Sequence, residues 1–137
     1  MKERRVSPFA KFRVYPDKKR YHYFTVYVFG NKRDMIEAVN GTNHPMRRPR
    51  SVKKGEYDAI TLPYFVTKPP SKEILRDLGN IVFYRARTGT GCISHEMTHA
   101  AAHYLRVKGH ETIGEGEVEE LMAQVVGNLT RQFVVRY

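Results

Sequence analysis

The pattern of hydrophobic and polar positions along this 137-residue chain divides it into a β-rich first part, interrupted by short helical stretches, and a helical last part. Residues 12–15 alternate apolar and polar, as a short half-buried strand does. After the turn 16–20, residues 21–29 (YHYFTVYVF) form the densest run of aromatic and β-branched side chains, the composition of a strand. Its alternation puts His22, Phe24, Val26 and Val28 on one face and Tyr21, Tyr23, Thr25, Tyr27 and Phe29 on the other. The first face is expected against helices; the tyrosine face is read as a half-covered sheet surface, with base stacking the less favoured use. Gly30 ends the run, and Asn31 or Asp34 can cap a short helix to about Val39. Residues 57–66 are apolar and β-rich, with Pro63 breaking the strand or marking a sheet edge. A helical turn is predicted over 72–78 behind Ser71, a turn at Gly79-Asn80, and a strand over 81–85.

From about Cys92 the apolar spacing becomes helical. Ile93, Met97, Ala100, Ala101, Tyr104 and Leu105 form one stripe of a helix reaching about Lys108, with Gly109 placed to end it. After a connector at 110–116, a last helix over about 117–135 buries Val118, Leu121, Met122, Val125, Val126 and Leu129. The acidic residues at its start suit the helix dipole. The expected fold is α+β: one domain over 1–137, with a small, mostly antiparallel sheet in 12–85 packed against the helix pair of 92–135, and a basic arm at 1–11.

Composition narrows the setting. A single cysteine, Cys92, excludes an internal disulfide and fits a reducing compartment, where its thiol is expected to pack inside. No apolar run approaches the roughly 18–20 residues of a membrane span, and the basic start is not followed by an apolar signal segment. An intracellular protein, cytoplasmic and without a membrane partner, is predicted. The net charge of +10 favours an acidic partner or nucleic acid. The segment 42–55, rich in Pro, Gly and charge, is expected as a loop, and its Arg47, Arg48, Arg50, Lys53 and Lys54 are the candidate contacts. Simple solvation of these cations competes with that reading.

One stretch carries chemistry. His95-Glu96-Met97-Thr98-His99 has the H-E-x-x-H spacing. Positions i and i+4 of a helix stand on one face, so both imidazoles can reach one zinc ion. Glu96 flanks the ion rather than ligating it and can accept a proton from the water the metal activates. A catalytic site needs a third protein ligand. His103 is two turns beyond His95, ~12 Å along the axis, too far to close on the same ion from one straight helix. Ala102 and Leu105 stand where the metzincin extension has Gly and His. Glu115, Glu117, Glu119 and Glu120 on the last helix remain as candidates. Tyr84, His103, Tyr64 and His110 are candidate donors to a tetrahedral oxyanion, with His103 otherwise walling the site or facing solvent, and the strand at 81–85 is a candidate to pair with an extended substrate. A Cys92 thiolate that blocks or replaces the metal-bound water is a minor alternative.

The pairing of His95-Glu96-Met97-Thr98-His99 with Glu120-Leu121-Met122-Ala123-Gln124 resembles the gluzincin metallopeptidases, whose ligand Glu opens an E-x-x-A-[D/N] pattern on a second helix. The resemblance implies a minimal zincin-like fold, a zinc cofactor, Glu120 as third ligand, Ala123 as the point of helix approach and Gln124 as a partner to a ligand histidine. Gln124 departs from the Asp or Asn of the pattern. Residues 81–133 are similar to small metallopeptidase-like proteins of phages and mobile elements, and loosely to the repressor-cleaving peptidases called ImmA/IrrE-like. The implied function is hydrolysis of an intracellular protein, in the host bacterium if phage-borne. The alternative is a basic nucleic-acid- or protein-binding module on an inactive scaffold.

Overall fold

A computed structural model describes residues 7–40, 58–63, 76–107 and 115–137. The chain is α+β. Four strands, β1 (Ala10–Val14), β2 (Tyr23–Phe29), β3 (Ile60–Pro63) and β4 (Asp77–Tyr84), form one sheet in the order β1-β2-β4-β3. Among the described residues, three α-helices accompany them: α1 (Lys32–Asn40), α2 (Thr90–Val107) and α3 (Glu115–Arg136). The β1–β2 and β3–β4 pairings are antiparallel and the central β2–β4 pairing is parallel, so the sheet is mixed but mostly antiparallel.

The sheet separates two cores. Val14, Phe24, Val26, Val28, Ile81 and Phe83 meet Met97, Ala101, Leu129 and Phe133 of α2 and α3 on one face. Tyr27, Phe29, Val82 and Tyr84 meet Met35, Ala38 and Val39 of α1 on the other. The expected alternation of β2 therefore holds, and its second face is closed at one end by α1. That helix starts where Asn31 caps it: the Asp34 amide donates to Asn31 Oδ1 at 2.9 Å, and Asn31 Nδ2 donates back to Asp34 Oδ2 at 3.4 Å. α3 is pinned to the end of β1 by Gln132, which accepts from the Tyr15 amide and donates to the Tyr15 carbonyl, both at 2.7 Å.

Several expectations are corrected. The first strand begins at Ala10, inside the expected arm, and Tyr21 and His22 precede β2. Asp77 and Leu78 are strand rather than helical turn, and Gly79-Asn80 lies within β4 rather than in a turn. The reason is a β-bulge. Tyr23 pairs with Asp77 and Thr25 with Asn80, so β4 takes one more residue than β2 over the same stretch. Gly79 absorbs the extra residue at φ 137°, which a side chain would resist. Pro63 both ends β3 and sits on the sheet edge. β4 is paired on both sides, with β2 and β3, so the strand at 81–85 cannot take up a substrate strand. The basic segment 42–55, with Arg47, Arg48, Arg50, Lys53 and Lys54, lies outside the described residues, as do Tyr64 and His110. No helix among the described residues is long and apolar enough to cross a membrane.

Candidate metal centre and cleft

α2 presents three different sides, at ~100° per residue. Ile93, Met97, Ala100, Ala101 and Tyr104 face the sheet. His95 and His99 point away from it and are exposed; the His95 side chain keeps 70% of its surface. Glu96 lies between these two sides and is turned toward β3, where it is buried.

The two imidazoles converge. His95 Nε2 and His99 Nε2 are 3.3 Å apart, with the ring planes at 82°. Two nitrogens held ~2.05 Å from a tetrahedral ion stand about 3.3 Å apart. The separation of the pair therefore matches that of two nitrogens on one zinc-like ion. Glu96 is held beside them: Thr61 Oγ1, on β3, is 2.9 Å from Glu96 Oε1 and 3.1 Å from the Glu96 carbonyl oxygen, with one proton to donate between them. The other carboxylate oxygen, Oε2, is 3.8 Å from His95 Nε2.

These groups open on a cleft of ≈ 370 Å³ between α2 and the β3 edge, lined also by Ala59, Ile60, Ala102, His103 and Arg106. His103 does not face solvent. It is buried in the cleft wall, its ring 6.3 Å from that of Phe24. Tyr84 is not in the cleft. Its ring belongs to the opposite face of the sheet, under α1, and its hydroxyl donates to Asp58 Oδ1 at 3.3 Å. Cys92 is half-buried at the edge of the core, as expected. Burial pushes its thiol up, and the Glu96 carboxylate adds to that, so a reactive thiolate is disfavoured.

α3 packs along the other side of α2. Ala123 is exposed and lines an open groove between them with Ser94 and Thr98. Glu119 lines the same groove. Glu120 is exposed on α3, and Gln124 Nε2 donates to its Oε1 at 3.4 Å. Among the described residues, no three His, Cys, Asp or Glu side chains are gathered as a metal site. His95, Glu96 and His99 are thus brought together, while Glu120 and Gln124 are paired with each other. The side chains of Glu115 and Glu117 lie outside the described residues.

Two cleft residues were not among the sequence candidates. Thr61 reaches Glu96 across 35 residues of chain, a contact with no local signature. Arg106 follows His99 by seven residues, two helical turns, and was legible from the helix face. Comparison with protein-family models, with curated proteins and with solved structures finds no match.

Proposed function

We propose that this chain is a zinc-dependent peptidase of the gluzincin kind, with His95 and His99 as two ligands, Glu120 as the third and Glu96 as general base. The observation that carries this reading is the 3.3 Å approach of the two Nε2 atoms beside a buried, tethered carboxylate. A structural site has no need of Glu96 there. A zinc ion in this position supplies Lewis acidity, toward a water and toward a substrate carbonyl.

The protein's own groups divide the remaining work. Thr61 occupies Glu96 Oε1, which fixes the carboxylate plane and leaves Oε2 on the histidine side to accept a proton. Glu96 then returns that proton to the leaving amine. Of the oxyanion candidates among the described residues, His103 lines the cleft, and we assign it the donor role. The substrate bed is β3 rather than β4. Its outer edge has no strand partner among the described residues, so an extended peptide can add there. We take the substrate to be a protein in the compartment of the enzyme, a host bacterial cytoplasm for a phage-borne chain.

Metal content and proteolysis test this together. Wild type is expected to hold one zinc per chain, Glu96→Gln to keep the zinc and lose hydrolysis, and Glu120→Gln to lose zinc affinity. Metal-free wild type from chelator-free preparation, or unchanged proteolysis in Glu96→Gln, overturns the reading. A second reading, a basic binding module on an inactive scaffold, is favoured by the outward, Gln124-bonded position of Glu120. It predicts zinc binding unaffected by Glu120→Gln and no hydrolysis in any variant.

A further inference from the structure

Among the described residues, α1 is the helix that packs on the second sheet face, and it lies toward one end of it. α1 lies over Tyr27, Phe29, Val82 and Tyr84. At the other end the face emerges beside the β1–β2 connection. β1 sends Phe12 and Val14 into the opposite core, so Lys11 and Arg13 stand on this face and are exposed. The Arg13 guanidinium lies 4.1 Å from the centroid of the Tyr23 ring. Arg76, at the mouth of β4, lies 4.8 Å from the centroid of Tyr21, and its Nε donates to the Tyr21 carbonyl at 3.2 Å. Arg20 lies 5.4 Å from the centroid of Tyr15. Three tyrosines of this end therefore each carry a guanidinium, and Lys18 and Lys19 extend the charge. Two acids lie nearby and are turned to the protein's own groups: Asp17 accepts from the Tyr21 amide and from His22, and Asp77 from the Gly79 amide.

We propose that this strip binds single-stranded nucleic acid, with Arg13 and Arg76 on phosphates and the Tyr21 and Tyr23 rings against unstacked bases. A guanidinium laid on a ring keeps its N–H edge outward, in the fork that matches a phosphate. Tyr21, though it carries Arg76 and meets the His22 ring edge-on, is still 41% exposed, and the open part of its ring suits a free base, which a base inside a duplex cannot supply. An acidic peptide satisfies the charge but leaves the rings unused. The excess of +10 over the whole chain works in the same direction at longer range. The proposal is independent of the peptidase reading.

The test is fluorescence anisotropy of a labelled oligothymidylate with the full chain over a salt series. Binding is expected to weaken steeply with salt. Arg13→Gln with Arg76→Gln should reduce the slope of log K against log[salt] by about 1.4, at ~0.7 per lost phosphate contact. Tyr21→Leu with Tyr23→Leu should weaken binding about 10-fold or more at unchanged slope. Circular dichroism and thermal unfolding identify any variant that fails to fold, and Tyr21→Leu alone, at a position outside the strand, then serves in its place. The proposal is overturned by absence of binding at low salt, by equal binding of a duplex or of a polyglutamate of the same charge, or by binding that survives these changes and is lost on replacing Arg47, Arg48, Arg50, Lys53 and Lys54.

Discussion

Thr61 and Glu96 are joined at 2.9 Å across the seam between β3 and α2, so the carboxylate beside the histidine pair is positioned by a sheet edge and not by its own helix. Removing the hydroxyl leaves a buried carboxylate oxygen without that donor. Thr61→Val is expected to lower thermal stability, by about 1–3 kcal/mol. On the proposed peptidase reading it should also reduce turnover about 10- to 100-fold, the usual effect of losing such a supporting contact. Thr61→Ser should restore both. Parallel measurement of unfolding and of kcat decides: turnover equal to wild type in a folded Thr61→Val protein rules out the positioning role.

A second prediction concerns acid. His22 is buried and its Nδ1 is 2.9 Å from Asp17 Oδ2. Burial is the largest single influence and raises the Asp17 carboxyl; the His22 hydrogen bond, the Tyr21 amide and the His22 charge each lower it, and together they outweigh burial, so the net effect is below its ordinary 3.8. A carboxyl lowered in the folded state contributes stability above its unfolded value, and that contribution is lost as pH falls through the folded value. Urea unfolding should therefore show wild type losing stability below about pH 4, and Asp17→Asn showing a flatter profile there. At neutral pH Asp17→Asn should cost about 1–3 kcal/mol. Identical acid profiles for the two proteins would exclude this pair as the cause.

A third rests on Gly79. Its φ of 137° lies where L side chains are strained, inside the bulge that sets the register of β4. Gly79→Ala is expected to destabilise by about 1–3 kcal/mol, read as a lower midpoint in denaturant titration. A neutral result would show that the bulge tolerates a side chain.

A fourth tests the larger core. Phe133 is fully buried, with edge-on rings at 5.0 Å (Phe83) and 5.6 Å (Phe12), and so ties α3 to two strands. Phe133→Ala should cost about 3–5 kcal/mol, against a small effect for the exposed neighbour Val134→Ala. Calorimetry of both variants makes the comparison.

The sequence was most legible where the determinants are local. The i, i+4 histidines, the aromatic alternation of β2 and the Asn31 cap are each set within a few residues, and each is found in place. Gly79-Asn80 misled for a physical reason: the dipeptide that most favours a turn also relieves a bulge, and local chemistry does not separate the two. The error propagates. A one-residue offset in a strand exchanges its faces, so the side of the sheet on which Tyr84 falls depends on a register that only the pairing with β2 establishes. The Thr61–Glu96 contact was out of reach for a different reason, since its partners meet only once β4 has placed β3 beside α2.

That order of assembly separates the cleft from the fold that bears it. β3 has four residues and β4 as its single strand neighbour among the described residues. Detaching it would keep the β1–β2 and β2–β4 pairings, but would uncover Leu62, fully buried in the core under α1, and remove the tether on Glu96. Subglobal opening of a short edge requires far less free energy than global unfolding. The tether on Glu96 is thus only as durable as a four-residue edge strand whose own anchor is the buried Leu62.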